Sequence, residues 1–254
     1  MIQCRKIGLS KGKKTILRDV DFQAAPGEIT VLLGKNGSGK TSLLRCISGA
    51  YSRFQGEILL NGKNLSGLSP TERARMLAVM PQTLPQPPVT VEELTAFGRQ
   101  PYTGYTGRLS QGEKEKVRRA MERSGVLPHA GDLVCNLSGG ERQMAFFTML
   151  LAQDTPAVLL DEPTANLDAE YRQRVFGFLR SMREEGKIIV TTLHSLEDAV
   201  QLGDRFWVMQ EGAMVFSGTA GDFISSGLPE RNFGLRPVQV SSPEEGDFTV
   251  FRPV

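Results

Sequence analysis

Gly34-Lys35-Asn36-Gly37-Ser38-Gly39-Lys40-Thr41 lies between the apolar run Ile29-Thr30-Val31-Leu32-Leu33 and the stretch Ser42-Leu43-Leu44-Arg45-Cys46-Ile47. That order predicts strand, glycine loop, helix. Glycines at these spacings let successive backbone N–H groups turn inward around a polyphosphate, and a helix opening at Lys40 points its positive dipole end at the same anion. Lys40 is then the side chain to reach the outer phosphates, and the Thr41 hydroxyl can hold Mg²⁺, with the binding set running on through Ser42. A glycine-rich turn with an incidental lysine gives no reason for this order between a strand and a helix.

Composition sets limits around the loop. At 254 residues the chain is long enough for a large core in one or two domains. Thirty basic residues stand against 28 acidic ones, a net charge of +2, so no field calls for nucleic acid. Cys4, Cys46 and Cys135 lie far apart without metal-ligand spacing, as expected of reduced thiols in a cytosolic protein. The start, Met1 to Lys6, has no apolar signal segment. The most apolar helix candidate, Met144 to Ala152, falls well short of the roughly 20 residues that span a bilayer. Membrane contact is therefore expected to be peripheral or made through another chain.

Along the chain, Cys4 to Leu9 and Thr15 to Gln23 read as strands, and Glu57 to Leu60 runs into the hairpin signal Asn61-Gly62. Helix starts are marked by capping boxes at Ser69 with Glu72, Thr90 with Glu93 and Ser138 with Glu141, and by the acidic variant Ser195 with Asp198. From Pro81 to Gln153 the reading is helical and proline-broken. Strands return at Ala157 to Leu160, Ile188 to Thr192 and Phe206 to Met209, alternating with a helix capped by Asp168 and stopped by Gly186. Alternation of this kind predicts a parallel sheet with helices on both faces, interrupted by a helical insertion. The tail from Ser241 to Asp247 is polar enough for a linker, although Phe248 to Phe251 alternates like a short strand.

Many nucleotide hydrolases share a phosphate loop, so a second constellation is needed. Leu160-Asp161-Glu162-Pro163 closes an apolar strand and places two carboxylates at its carboxyl end, where α/β sheets bind ligands. Asp161 suits Mg²⁺, and Glu162 suits polarising an attacking water. A third element is Leu137-Ser138-Gly139-Gly140-Glu141-Arg142-Gln143. Its plain reading is a capping box, yet two glycines in a first turn are unfavourable there, each by roughly 0.8–1 kcal/mol against alanine in a helix interior and less at an end. Bare backbone at that place suits close approach by an anion.

This heptad resembles the signature motif of ABC ATPases, and the other motifs fit the same pattern over about residues 1 to 235. The Walker A loop resembles Gly34 to Thr41, the Q-loop glutamine Gln82, the Walker B pair Asp161-Glu162, the D-loop Asn166-Leu167-Asp168, and the switch histidine His194. The resemblance implies an α/β fold of the P-loop NTPase type: a mostly parallel core sheet, an antiparallel β subdomain and an inserted α-helical subdomain. Its boundaries would be an ATPase domain over residues 1–240, with the helical insertion at about 84–150, and a tail over 241–254.

Further implications concern ATP and Mg²⁺. Gly34, Lys35, Asn36, Gly37, Ser38, Gly39, Lys40, Thr41 and Ser42 would bind nucleotide. Thr41, Gln82 and Asp161 would serve the metal, and Glu162, His194 and Lys40 catalysis. The family's head-to-tail homodimer would place each ATP between the Walker A loop of one subunit and Ser138, Gly139, Gly140 and Glu141 of the other. At the position where the family stacks an aromatic on adenine, this chain has Lys11, assigned to the nucleotide site without that stacking face.

Phe97-Gly98-Arg99-Gln100-Pro101-Tyr102, followed by a charged helix from Glu113 to Gly125, resembles ATPases of metal-chelate importers, the group serving ferric siderophores, haem and cobalamin. That implies an ATPase on the cytoplasmic face of the membrane. It would be held there by integral-membrane permease subunits, with Phe97, Tyr102 and Tyr105 at the contact, and would serve a separate solute-binding protein. Two other classes remain open: a soluble ABC ATPase of iron–sulfur cluster assembly, and an ATP-gated binding module without turnover. The presence of Glu162 and His194 disfavours the second.

Overall fold

The computed structural model describes residues 1–103, 107–242 and 246–254. The chain forms two compact units, one made of Met1–Ser66 with Met182–Val254 and the other of Gly67–Ser181.

The first unit opens with β1 (Ile2–Lys11) paired antiparallel to β2 (Lys14–Ala24). Both alternate inward apolar and outward polar residues, and Ile2, Cys4, Ile7, Leu17, Val20 and Phe22 are buried. β3 (Ile29–Leu33) is buried at every position, and its Ile29 N–H donates to Asp204 Oδ2 at 2.8 Å. After the glycine loop comes α1 (Lys40–Ser48), then β4 (Gln55–Leu60) and β5 (Lys63–Asn64). The turn between these two strands has positive φ at both Asn61 and Gly62, the geometry that the Asn-Gly pair predicts. β4 also pairs with β1, giving an antiparallel sheet in the order β2-β1-β4-β5.

The second unit begins with α2 (Pro70–Met76) and β6 (Leu77–Met80). Its helical part is α3 (Val91–Phe97), α4 (Gln111–Ser124) and α5 (Gly139–Gln153). The apolar run on α5 is core: Met144, Ala145, Phe146 and Phe147 are all buried. Phe147 is fully enclosed and stacks with Phe178 at 6.2 Å, worth roughly 1.5–3 kcal/mol in burial alone. β7 (Ala157–Asp161) follows and pairs in parallel with β6, and α6 (Ala169–Glu184) leads out of the unit. β6 is a strand that no turn or alternation signal in Leu77-Ala78-Val79-Met80 predicts.

Back in the first unit, β8 (Ile188–Thr192) is fully buried and parallel to β3. After α7 (Leu196–Leu202), β9 (Arg205–Gln210) runs parallel to β3 on its other side, and β10 (Ala213–Thr219) pairs antiparallel to β9. Two short helices, α8 (Ala220–Ser225) and α9 (Leu228–Phe233), precede a terminal antiparallel hairpin, β11 (Leu235–Ser242) with β12 (Gly246–Pro253). The alternation expected at Phe248 to Phe251 is thus part of a longer paired strand.

Cys4 on β1 and Cys46 on α1 are buried, whereas Cys135, in the turn ahead of α5, is partly exposed. Burial pushes the Cys46 thiol up to about 11 and raises the Cys4 thiol further. Among the described residues no helix is long and apolar enough to cross a membrane.

Candidate functional site

In the first unit, buried β3 delivers the chain into the glycine loop with little freedom to move. Gly34 has φ 151°, and a side chain there would collide with the Met209 carbonyl and the Ser38 hydroxyl, so the loop closes tightly on itself. Lys40 is only 7% exposed, and its Nζ donates to the Gly34 carbonyl at 2.6 Å and the Lys35 carbonyl at 3.3 Å. The ammonium is therefore held inside the loop. Ser38 Oγ is buried and has no hydrogen-bond partner among the described residues.

The start of α1 completes an anion-seeking site. α2, α3, α5 and α8 all begin with capping boxes. In contrast, α1 has no side-chain cap and no acidic residue in its first turn. Its first N–H groups carry their partial positive charge uncancelled, beside a buried ammonium and an unpartnered hydroxyl. Positive partial charge, an ammonium and a free hydroxyl donor together are the chemistry that suits a polyphosphate.

Lys11, the last residue of β1, is engaged by Tyr51. Its Nζ lies 2.6 Å from the Tyr51 hydroxyl and 4.4 Å from the centroid of that ring, while Arg45 Nη1 reaches the same hydroxyl at 3.0 Å. The hydrogen bonds from Lys11 and then Arg45 hold the Tyr51 phenol below its ordinary pKa. Tyr51, 40 residues away in sequence, is an aromatic neighbour of Lys11 that no local pattern announces.

His194 is exposed, in the short link between the end of β8 and the first turn of α7.

In the second unit, parallel pairing of β6 with β7 matches Met80 to Leu160. The residues just past both strand ends therefore emerge side by side. Gln82 Nε2 donates to Glu162 Oε2 at 2.6 Å, joining two residues that are far apart in sequence. Asp161 is the last residue of β7 and 7% exposed. Glu162 has φ 55°, an uncommon conformation for a glutamate, which turns its side chain out of the strand's alternation.

α5 begins at the signature heptad with a complete capping box. Ser138 N–H donates to Glu141 Oε2 at 2.9 Å and Glu141 N–H to Ser138 Oγ at 3.3 Å. Hydrogen bonds to its carboxylate from the Ser138 side chain and then the Ser138 backbone N–H hold the Glu141 carboxyl below the usual carboxylate range. Gly139 faces open space, whereas a side chain on Gly140 would run into the Tyr171 ring. Gln143 Nε2 donates to the Pro163 carbonyl at 2.6 Å, tying the signature helix to the turn after Glu162. In the segment that resembles a D-loop, Asn166 has φ 60°, and Asp168 Oδ1 accepts from Tyr171 N–H at 2.9 Å to cap α6.

Of the three aromatics assigned to a partner contact, Phe97 is 43% exposed at the end of α3. Tyr102 is engaged within its own unit: its ring lies 3.8 Å from the Arg99 guanidinium, and its hydroxyl donates to the Gln153 carbonyl at 3.1 Å. Tyr105 lies outside the described residues. Arg99, which in the sequence stands out only through a resemblance, is the buried centre of this region. It is 2% exposed, paired with Glu113 and donating to the Ala152 carbonyl at 2.6 Å.

The ABC transporter family profile matches residues 17–165. The chain is 32% identical over 251 residues to the petrobactin import ATP-binding protein of Bacillus anthracis, covering 98% of this chain and 92% of that one. It is 35% identical to the hemin import ATP-binding protein of Mesorhizobium japonicum, covering 93% and 92%. A solved structure described as an inward-facing conformation of a metal-chelate type ABC transporter shares the fold, with a TM-score of 0.86 at 22% identity over 100% of this chain and 97% of that one. A matching profile over more than half the chain, with relatives aligned along almost all of it, means that this protein belongs to the ABC transporter family as an ATP-binding subunit.

Proposed function

We propose that the protein is the ATP-hydrolysing, energy-coupling subunit of an importer for an iron chelate, a ferric siderophore or haem. The hydrolytic reading is carried by the bond between Gln82 and Glu162, which holds a carboxylate beyond a buried strand end as a water-polarising base requires. The import reading is supported by the petrobactin and hemin relatives. Lys40 and the open α1 N-terminus bind the triphosphate, Glu162 takes the proton of the attacking water, and His194 meets the γ-phosphate side.

The Thr41 hydroxyl in one unit, and the Asp161 carboxylate and Gln82 amide oxygen in the other, are each oxygen donors of the kind Mg²⁺ takes. The ion is usually bound through one or two carboxylates plus substrate phosphates, and among the described residues no cluster of three His, Cys, Asp or Glu side chains forms a self-sufficient metal site. When bound, the ion neutralises charge on the β- and γ-phosphates.

In this reading two copies pair head to tail, with Ser138, Gly139 and Gly140 of one copy closing on the nucleotide of the other. The pair sits on the cytoplasmic face of the membrane beneath permease subunits that receive the chelate from a solute-binding protein. The test is Glu162→Gln. It should keep ATP binding, accumulate a nucleotide-bound dimer in size-exclusion chromatography and slow hydrolysis by about 10²–10⁴. Steady-state turnover close to wild type at saturating Mg-ATP would remove Glu162 from the mechanism.

A further inference from the structure

His194 occupies a link whose two ends are anchored very differently. On one side Thr192 ends β8, which is buried throughout and paired along β3. On the other side stands α7, only seven residues long and therefore unable to hold its own position without outside contacts.

α7 buries Leu196, Ala199 and Leu202 in the core, and its first turn, next to His194, has a further contact with β12. Ser195 caps α7, its Oγ accepting from the Asp198 N–H at 3.1 Å and donating to Glu197 Oε2 at 3.0 Å. The other oxygen of the same carboxylate, Oε1, accepts the Phe251 N–H of β12 at 3.2 Å. The donor is available because Phe251 stands opposite Pro237 in the hairpin register and turns its N–H away from β11. Phe251 is itself buried at 8% exposure, and eight register pairs hold β12 to β11. Glu197 is exposed, so burial does not explain its two-ended engagement.

We propose that Glu197 is a positioning residue for His194, bracing the histidine-bearing link against the C-terminal strand β12. The inference rests on the ATPase reading of His194. The carboxylate joins the residue next to His194 to the last strand of the chain, so the hairpin sets where the imidazole stands when the γ-phosphate is present. A misplacement of about 1 Å at a reacting centre can cost as much as 10²-fold in rate.

The experiment compares Glu197→Ala and Glu197→Gln in the full-length protein, with ATPase rates against ATP concentration, ATP affinity by calorimetry and melting temperature. Alanine is the best helix former, so Glu197→Ala does not unfold α7. Its kcat should fall about tenfold, with KM and ATP affinity within about twofold of wild type, the split expected when only the transition state loses a contact. Glutamine can accept from Phe251 and donate to Ser195, so Glu197→Gln should retain most of the rate.

Wild-type kcat in Glu197→Ala, or a Glu197→Gln variant as slow as Glu197→Ala, overturns the brace. A wild-type chain that hydrolyses no ATP would instead reject the ATPase reading on which the brace depends.

Discussion

Two adjacent glycines at the start of α5 have different physical reasons. Gly139 faces open space, and Gly140 lies under the Tyr171 ring. Gly140→Ala should therefore cost about 1–3 kcal/mol by overpacking, read as a lower melting temperature. Gly139→Ala should leave the melting temperature unchanged or slightly raised, because alanine is the better helix former. It should nevertheless weaken ATP-driven pairing of two copies, measured by light scattering with the Glu162→Gln background. Equal thermal losses in both variants would mean that the two glycines share one role. From sequence the pair supports a single reason, anion approach, because nothing local announces that a distant tyrosine packs on the second. Lys11 is a similar case: the missing aromatic is legible, but the Tyr51 ring against its ammonium is a contact made by the fold. Short motifs such as the phosphate loop are legible because their chemistry is local.

At the scale of elements, α4 is fastened by an ion pair with a buried cation. Arg99 holds the Glu113 carboxyl below the usual carboxylate range and also donates to the Ala152 and Gln153 carbonyls. Breaking a buried pair from one side typically costs about 3–5 kcal/mol. Arg99 keeps its carbonyl acceptors, so Glu113→Ala should cost about 2–3 kcal/mol in urea unfolding. The depressed folded-state pKa also fixes the pH dependence. The pair's contribution is complete above the unfolded carboxyl value of about 4.3 and is lost as pH falls through the lower folded value. Wild type should thus lose stability more steeply than Glu113→Ala on acidification, and parallel curves would argue against the pair. Strands with a buried, β-branched run such as Ile188–Thr192 are readable, as are helices that open with a capping box. β6 escapes because Leu77-Ala78-Val79-Met80 follows α2 without a breaker and suits a helix equally well. β11 escapes because Pro237 argues against a strand, and the structure tolerates it where the opposing Phe251 N–H points to Glu197.

Across the whole molecule, the residues assigned to nucleotide chemistry divide between two units. The loop and His194 belong to the first, and Gln82, Asp161, Glu162 and the signature turn to the second. No local pattern marks that division, since α6 runs through it without a break. The proposed permease contact belongs to the second unit and centres on Phe97, exposed where α3 ends. Aromatic anchors at interfaces can cost about 2 kcal/mol or more on truncation. Phe97→Asp should therefore abolish co-purification with the permease and transport while ATP affinity of the isolated subunit stays at wild type. Normal assembly in that variant would move the contact elsewhere. The burial of two cysteines has a practical consequence. Cys4 and Cys46 are enclosed with raised thiol pKa values, while Cys135 is partly exposed in the turn just ahead of Ser138. A maleimide dye added to the unmodified chain thus finds one address, beside the heptad proposed to meet a second copy, so the native sequence already carries its own fluorescent reporter position for testing that closure in real time.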